Sequence, residues 1–126
     1  MSYQYDKENI FAKILRKEIP SQIVYESSHS LAFLDINPAA PVHILIIPKG
    51  PYINFDHFIE KASTEEIIDF NKAVAEVISK EKLNPSSIGG NGYRMIANTG
   101  LNGVQEVPHL HFHVLGGRNM GPMIMR

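Results

Sequence analysis

The run His109-Leu110-His111-Phe112-His113-Val114-Leu115 sets three imidazoles two residues apart. On a β-strand successive side chains point to opposite faces, so this spacing predicts one row of histidines while Leu110, Phe112 and Val114 enter a core. An imidazole is largely neutral near pH 7 and can serve as nucleophile, base or metal ligand. Geometry limits the metal reading. Along a straight strand His109 and His113 stand roughly 13 Å apart, so only an adjacent pair could reach one zinc. The remaining ligands would come from His43, Asp35 or Glu106, because the chain has no cysteine. A solvated polar face is a second reading. The third is nucleophilic attack on phosphorus, in which a neutral ring becomes a phosphoryl-histidine while its neighbours move protons and donate hydrogen bonds. Asn98-Thr99-Gly100 and Gly103-Val104-Gln105, just ahead of the row, bring the amides and flexible backbone that a phosphate cradle requires.

Something must hold that row. The 126 residues suit one domain, with 44% hydrophobic and 20% charged side chains and a formal charge of -1. That balance gives no basic field for nucleic acid. The longest purely apolar run, Ile44 to Ile47, is far too short to cross a bilayer, and the N-terminus has neither the basic start nor the apolar stretch of a secretory signal. A cytoplasmic protein is expected.

Apolar residues at helical spacing predict an amphipathic helix over 6–18, through Ile10, Phe11, Ile14 and Leu15. Ile23 to Tyr25 and Leu31 to Leu34 read as a hairpin around Ser27 to Ser30, and His43 to Ile47 as an apolar strand. Ser63-Thr64-Glu65-Glu66 forms a capping box ahead of a long helix with Ile67, Phe70, Val74, Val77 and Ile78 on one face. Strands over 93–98 and 109–115 close the pattern. The order predicts an α+β domain, an antiparallel sheet with its helices packed on one face. The apolar tail, 119–126, is read either as packing on a second subunit or as a plain disordered end.

The histidine run resembles the His-apolar-His-apolar-His-apolar-apolar signature of the histidine triad (HIT) family. The resemblance continues through Ile10-Phe11-Ala12-Lys13-Ile14, Ile19-Pro20, the segment Phe33 to His43 with its Asp35-Ile36-Asn37-Pro38, Tyr93 to Asn98, and Gly116-Gly117-Arg118. It covers one HIT domain over 1–126, with the motif region at 9–118, and is nearest the Hint-like branch of purine nucleoside phosphoramidases. The resemblance implies a five-stranded antiparallel sheet with two main helices, a homodimer joining two such sheets into one, and neither a metal nor another cofactor. It implies hydrolysis of purine nucleoside 5'-phosphoramidates, and of aminoacyl-adenylate-like anhydrides, through a nucleotidyl intermediate on His111. His113 would bond the phosphate, and His109 with His43 would orient rings and pass protons. Asp35 would accept from the ribose. Ile10, Phe11, Ile14, Phe33 and Ile36 would line the base pocket, and Asn98, Val104, Gln105 and Glu106 would surround the phosphate.

Two positions depart from the animal members of the family. Glu106 stands in place of a serine near the leaving group, as in bacterial relatives, and an anion there is unfavourable unless protonated or turned away. Val104 replaces a loop glycine, and its bulk predicts a backbone restricted to negative φ. His29 and His57 match no motif and read as surface residues. Within the family the alternative activity is dinucleoside polyphosphate hydrolysis. Outside enzymes, the alternative is a nucleotide-binding interaction module.

Overall fold

A computed structural model describes residues 3–124, so Met125 and Arg126 of the tail lie outside the described residues. The elements are α1 (Ile10–Leu15), β1 (Ile23–Glu26), β2 (Ser30–Leu34), β3 (Val42–Pro48), α2 (Phe55–Lys61), α3 (Thr64–Lys80), β4 (Tyr93–Ile96), α4 (Gly100–Gly103) and β5 (Phe112–Gly116). The strands form one antiparallel sheet in the order β1-β2-β3-β5-β4.

β2 and β3 carry apolar side chains at nearly every position, which requires cover on both faces of the sheet. Ala32, Ile44, Ile46 and Val114 face Phe58 of α2 and Phe70, Ala73, Val74 and Val77 of α3. Leu31, Phe33, Leu45 and Ile47 face Phe11 of α1. The helices therefore do not share one face as the element order predicts: α1 lies opposite α2 and α3. The unbroken apolar runs of the central strands carry the signal for two covered faces, because strands with only one covered face would show polar residues at every second position.

α1 is shorter than the periodicity predicts. Asn9 caps it by accepting from the Ala12 amide at 2.9 Å, and the chain leaves the helix at Lys17, whose φ is 63°. The Lys17 amide donates to Ile14 and the Glu18 amide to Lys13, closing the last turn as a Schellman motif with a lysine in the usual glycine place. The capping box at Ser63 and Glu66 forms as expected, with both reciprocal bonds present. Two helices went unread. α2 is a seven-residue helix capped by Asn54, and α4 is a single turn inside the glycine-rich connection. Both are too short for a periodic signal.

The strand predicted from His109 begins only at Phe112. The β3–β5 ladder ends at Ile46 paired with Phe112, because β3 stops at Pro48, which has no amide to extend it. The segment 109–111 is held otherwise: the Leu110 amide donates to the Tyr52 carbonyl at 2.8 Å. β4 likewise stops at Ile96 instead of Asn98.

The tail folds back on β4, where the Arg94 guanidinium donates to the carbonyls of Gly121 at 2.8 Å and Pro122 at 3.0 Å. Met123 and Ile124 beyond it are exposed. No helix among the described residues is long and apolar enough to cross a membrane.

Candidate active site

Strand register puts the site on the α1 face. His43 lies opposite Leu115 and His113 opposite Leu45, so both rings emerge on the side that carries Phe33 and Leu45. Leu110 and Val114 point into the other core, and Phe112 packs against it, so the alternation read from the sequence survives even where the strand does not. The ring centroids of His111 and His113 are 5.0 Å apart, and those of His43 and His113 are 5.2 Å apart. Phe11 stands edge-on to His111 at 4.9 Å.

The partners of each ring fix where its proton sits. His109 is fully buried, and its Nε2 lies 2.8 Å from the Pro48 carbonyl oxygen. A carbonyl only accepts, so His109 carries its proton on Nε2. Burial pushes this ring down to about 4, which keeps it neutral at physiological pH. His111 places Nδ1 2.7 Å from the His109 carbonyl oxygen. By the same logic Nδ1 is the protonated nitrogen, and the lone pair of Nε2 is free. Burial lowers His111 from its ordinary value, opposed by that carbonyl and by the charges of Asp35 and Glu106.

A second chain runs beside it. The Ala39 amide donates to His43 Nδ1 at 2.9 Å, so a neutral His43 has its proton on Nε2. That nitrogen lies 2.9 Å from His113 Nδ1 and 3.4 Å from a carboxylate oxygen of Asp35. His113 therefore accepts at Nδ1 and presents Nε2–H as a donor. Burial, with His111 and His43 nearby, pushes His113 down to about 4. The arrangement yields two different imidazoles side by side: a bare nucleophilic nitrogen on His111 and an N–H donor on His113.

Asp35, His43 and His113 hold three potential ligand atoms within 4.8 Å of one another, a set of the kind that can bind a metal ion. Their chemistry is already committed. His43 Nε2 carries a proton as long as the Ala39 amide occupies Nδ1, so it has no lone pair for a cation. Among the described residues no buried side-chain nitrogen or oxygen lacks a partner.

Around the rings, Ile10 and Ile36 are exposed, Ile14 is half-buried, and Phe11 and Phe33 are buried. An open cleft of about 490 Å³ borders Asp35 and Ile36, with Pro20, Ser21, Gln22 and Leu34 on its walls. Asp35 is oriented by the Asn37 amide, which donates to it at 2.7 Å. Asn98 is half-buried two residues beyond β4, and Gly103 packs against its backbone. Gln105 uses its amide nitrogen inward, donating to the carbonyls of Ile53 at 2.7 Å and Val107 at 3.0 Å, and so anchors the loop. Glu106 is exposed to water, yet close enough for His111 to feel its charge. His29 and His57 are half-buried rather than surface residues, and the His57 ring accepts from the Ile53 amide.

Val104 overturns its prediction. Its φ is 54° and ψ 52°, in the left-handed region that a β-branched residue avoids. The turn of α4 requires this: the Val104 amide donates to the Leu101 carbonyl, the Gln105 amide to Gly100, and the chain must reverse to enter the histidine run. The loop keeps the glycine geometry and accepts strain of about 1–3 kcal/mol.

A neutral imidazole with one nitrogen committed to a backbone carbonyl and the other open, beside a second imidazole presenting N–H and a carboxylate, gives this α+β fold a histidine-lined candidate active site. Comparison with known proteins identifies it further: the HIT domain model matches residues 16–120, and the chain belongs to the HIT domain family. It is 45% identical over 120 residues to the purine nucleoside phosphoramidase of Escherichia coli (strain K12), covering 94% of each chain. It is 45% identical over 119 residues to a 14 kDa zinc-binding protein of Zea mays, covering 91% of this chain and 86% of the other. The fold matches a HIT family hydrolase of Legionella pneumophila Philadelphia 1 with a TM-score of 0.78 at 36% identity, covering 90% of this chain and 96% of that one. These relatives support a nucleotide hydrolase.

Replacing Val104 with glycine should relieve the left-handed strain. Allowing for the entropy that glycine adds to the unfolded chain, urea titration should show Val104→Gly more stable by about 1 kcal/mol.

Proposed function

We propose that the protein hydrolyses purine nucleoside 5'-phosphoramidates, and mixed anhydrides of the aminoacyl-adenylate kind, through a nucleotidyl intermediate on His111. The observation that carries this reading is the bond from His111 Nδ1 to the His109 carbonyl, which leaves Nε2 as a free nucleophile. Nε2 attacks phosphorus and the P–N bond breaks. The amine leaves with a proton delivered through the His113–His43 pair, and His111 keeps its Nδ1 proton on the carbonyl, which stabilises the positive charge of the phosphorylated ring. Water then attacks phosphorus and returns a proton to the same pair, the bond to Nε2 breaks, and the nucleoside monophosphate departs.

His113 Nε2–H is suited to bond a phosphate oxygen, and His43, joined to His113 Nδ1, to pass protons along the pair. His109 is sealed between its partners, so orienting His111 is the role its surroundings favour. Asp35 would take the ribose hydroxyls. Ile10, Ile14 and Ile36 would cover the base, with Phe11 and Phe33 behind them, and the backbone around Asn98, Val104 and Gln105 would cradle the phosphate. The cycle needs no metal: proton transfer and charge stabilisation both lie within the imidazoles and amides.

A homodimer that joins two sheets into one accompanies this reading, and β4 is the edge suited to it. β1, the other edge, is guarded by the Lys49–Glu26 ion pair and by Lys80, which donates to the Val24 carbonyl. Both edges expose apolar side chains, Ile23 on β1 and Tyr93 with Met95 on β4, but among the described residues β4 carries no ion pair.

His111→Ala should abolish release of amine from adenosine 5'-phosphoramidate, and mass spectrometry of the quenched wild type should find adenylate on His111. Undiminished turnover by the variant would sink the mechanism, and loss of wild-type turnover in excess chelator would sink its metal independence. Because His111 is lowered and must be neutral to attack, kcat/KM should hold through about pH 6.5 and fall only below it. Light scattering of the purified protein should report twice the chain mass, whereas a monomer at assay concentration would remove the joined sheet.

A further inference from the structure

The residue that completes the histidine network comes from outside it. Tyr5 precedes α1 and lies ahead of the residues matched by the family model. Its hydroxyl is 2.6 Å from His109 Nδ1, and its ring meets the imidazole edge-on at 5.5 Å. Burial raises the Tyr5 hydroxyl, so it stays protonated. His109 Nδ1 is bare, since the ring proton is on Nε2 facing Pro48. The Tyr5 O–H therefore donates, and the ring of His109 is bonded at both nitrogens.

Such a ring cannot turn about its Cα–Cβ bond without losing a partner in a site with no water-exposed surface. The carbonyl of the same residue accepts from His111 Nδ1 at 2.7 Å. Position passes in sequence from Tyr5 to the His109 ring, to the His109 carbonyl, to the His111 ring. The N-terminal segment that carries Tyr5 is itself fastened. The Tyr3 hydroxyl donates to Asp56 of α2 at 2.6 Å, and the Asp6 carbonyl accepts from the Asn9 side chain at 2.7 Å.

We infer that Tyr5 is a positioning residue of the reaction: its hydroxyl, acting through His109, holds the His111 ring with Nε2 facing the phosphorus. The inference rests on the nucleophilic role given to His111. Tyr5 bonds the His109 ring and is not among the residues proposed to surround the nucleotide, so it acts on the rate of attack and not on affinity.

Tyr5→Phe keeps the ring and removes the hydroxyl. With adenosine 5'-phosphoramidate its kcat should fall about ten- to a hundredfold, as misplacement of a reacting group does, with KM unchanged. Tyr3→Phe removes the other hydroxyl that fastens the same segment and should retain the wild-type kcat. An equal loss in both variants, or no loss in Tyr5→Phe, would show that Tyr5 only ties down the chain. Imidazole nitrogen-15 spectra at neutral pH give a readout independent of turnover. The wild type should show His111 as a single Nδ1–H tautomer, and Tyr5→Phe should show its two nitrogens drawn toward averaging. An unchanged His111 spectrum would overturn the inference even if activity fell. Turnover by His111→Ala would refute the nucleophile while these spectra still decided whether Tyr5 orients the ring.

Discussion

The bond from His111 Nδ1 to the carbonyl of His109 is the constraint on which the rest of the site depends. A free imidazole exchanges its proton between two nitrogens and offers a mixture of donor and acceptor. A carbonyl removes that freedom because it can only accept. The choice is made by backbone, so it needs no charged partner and costs no desolvated ion. Burial keeps the ring neutral and the carbonyl decides which end is bare. The neighbouring ring is set by the opposite device. An amide donor at Ala39 forces His43 to protonate Nε2, and His43 in turn makes His113 an acceptor at Nδ1. Two backbone groups, one accepting and one donating, thus differentiate two identical side chains.

Much of the sheet was legible because β2 and β3 are short apolar runs bounded by turn residues, and the histidine run alternates with the period that the backbone enforces. The Ser63 box was legible because its two bonds are local. The boundary at Phe112 was not, since it depends on Pro48, which is distant in sequence and ends the partner strand. Nor was the side on which α1 packs, although the apolar positions facing it, Leu31, Phe33, Leu45 and Ile47, were in plain view. Val104 was misread for a related reason. Local sterics argue against a left-handed valine, and only the hydrogen bonds of the surrounding turn outweigh them.

Within the site, residue types marked the histidines as candidates but did not tell them apart. Spacing made His109, His111 and His113 equivalent, and only their partners separate them: Pro48 and Tyr5 for the first, a backbone carbonyl for the second, His43 for the third. Gln105 looked like a phosphate ligand by position, yet its amide nitrogen is directed to Ile53 and Val107. Tyr5 carried no signal. It belongs to no motif, and it meets His109 across more than a hundred residues of chain.

β3 contributes His43 to the histidine-bearing face and Ile44 and Ile46 to the opposite core, with both faces covered. Sliding this strand by one residue against its neighbours would drive His43 into aliphatic packing and bring isoleucine to the groove. Such an isomer would lose a core and the grouping of His43 with His113 together. Burial of the β3 isoleucines and placement of His43 are thus one constraint, met by a single register.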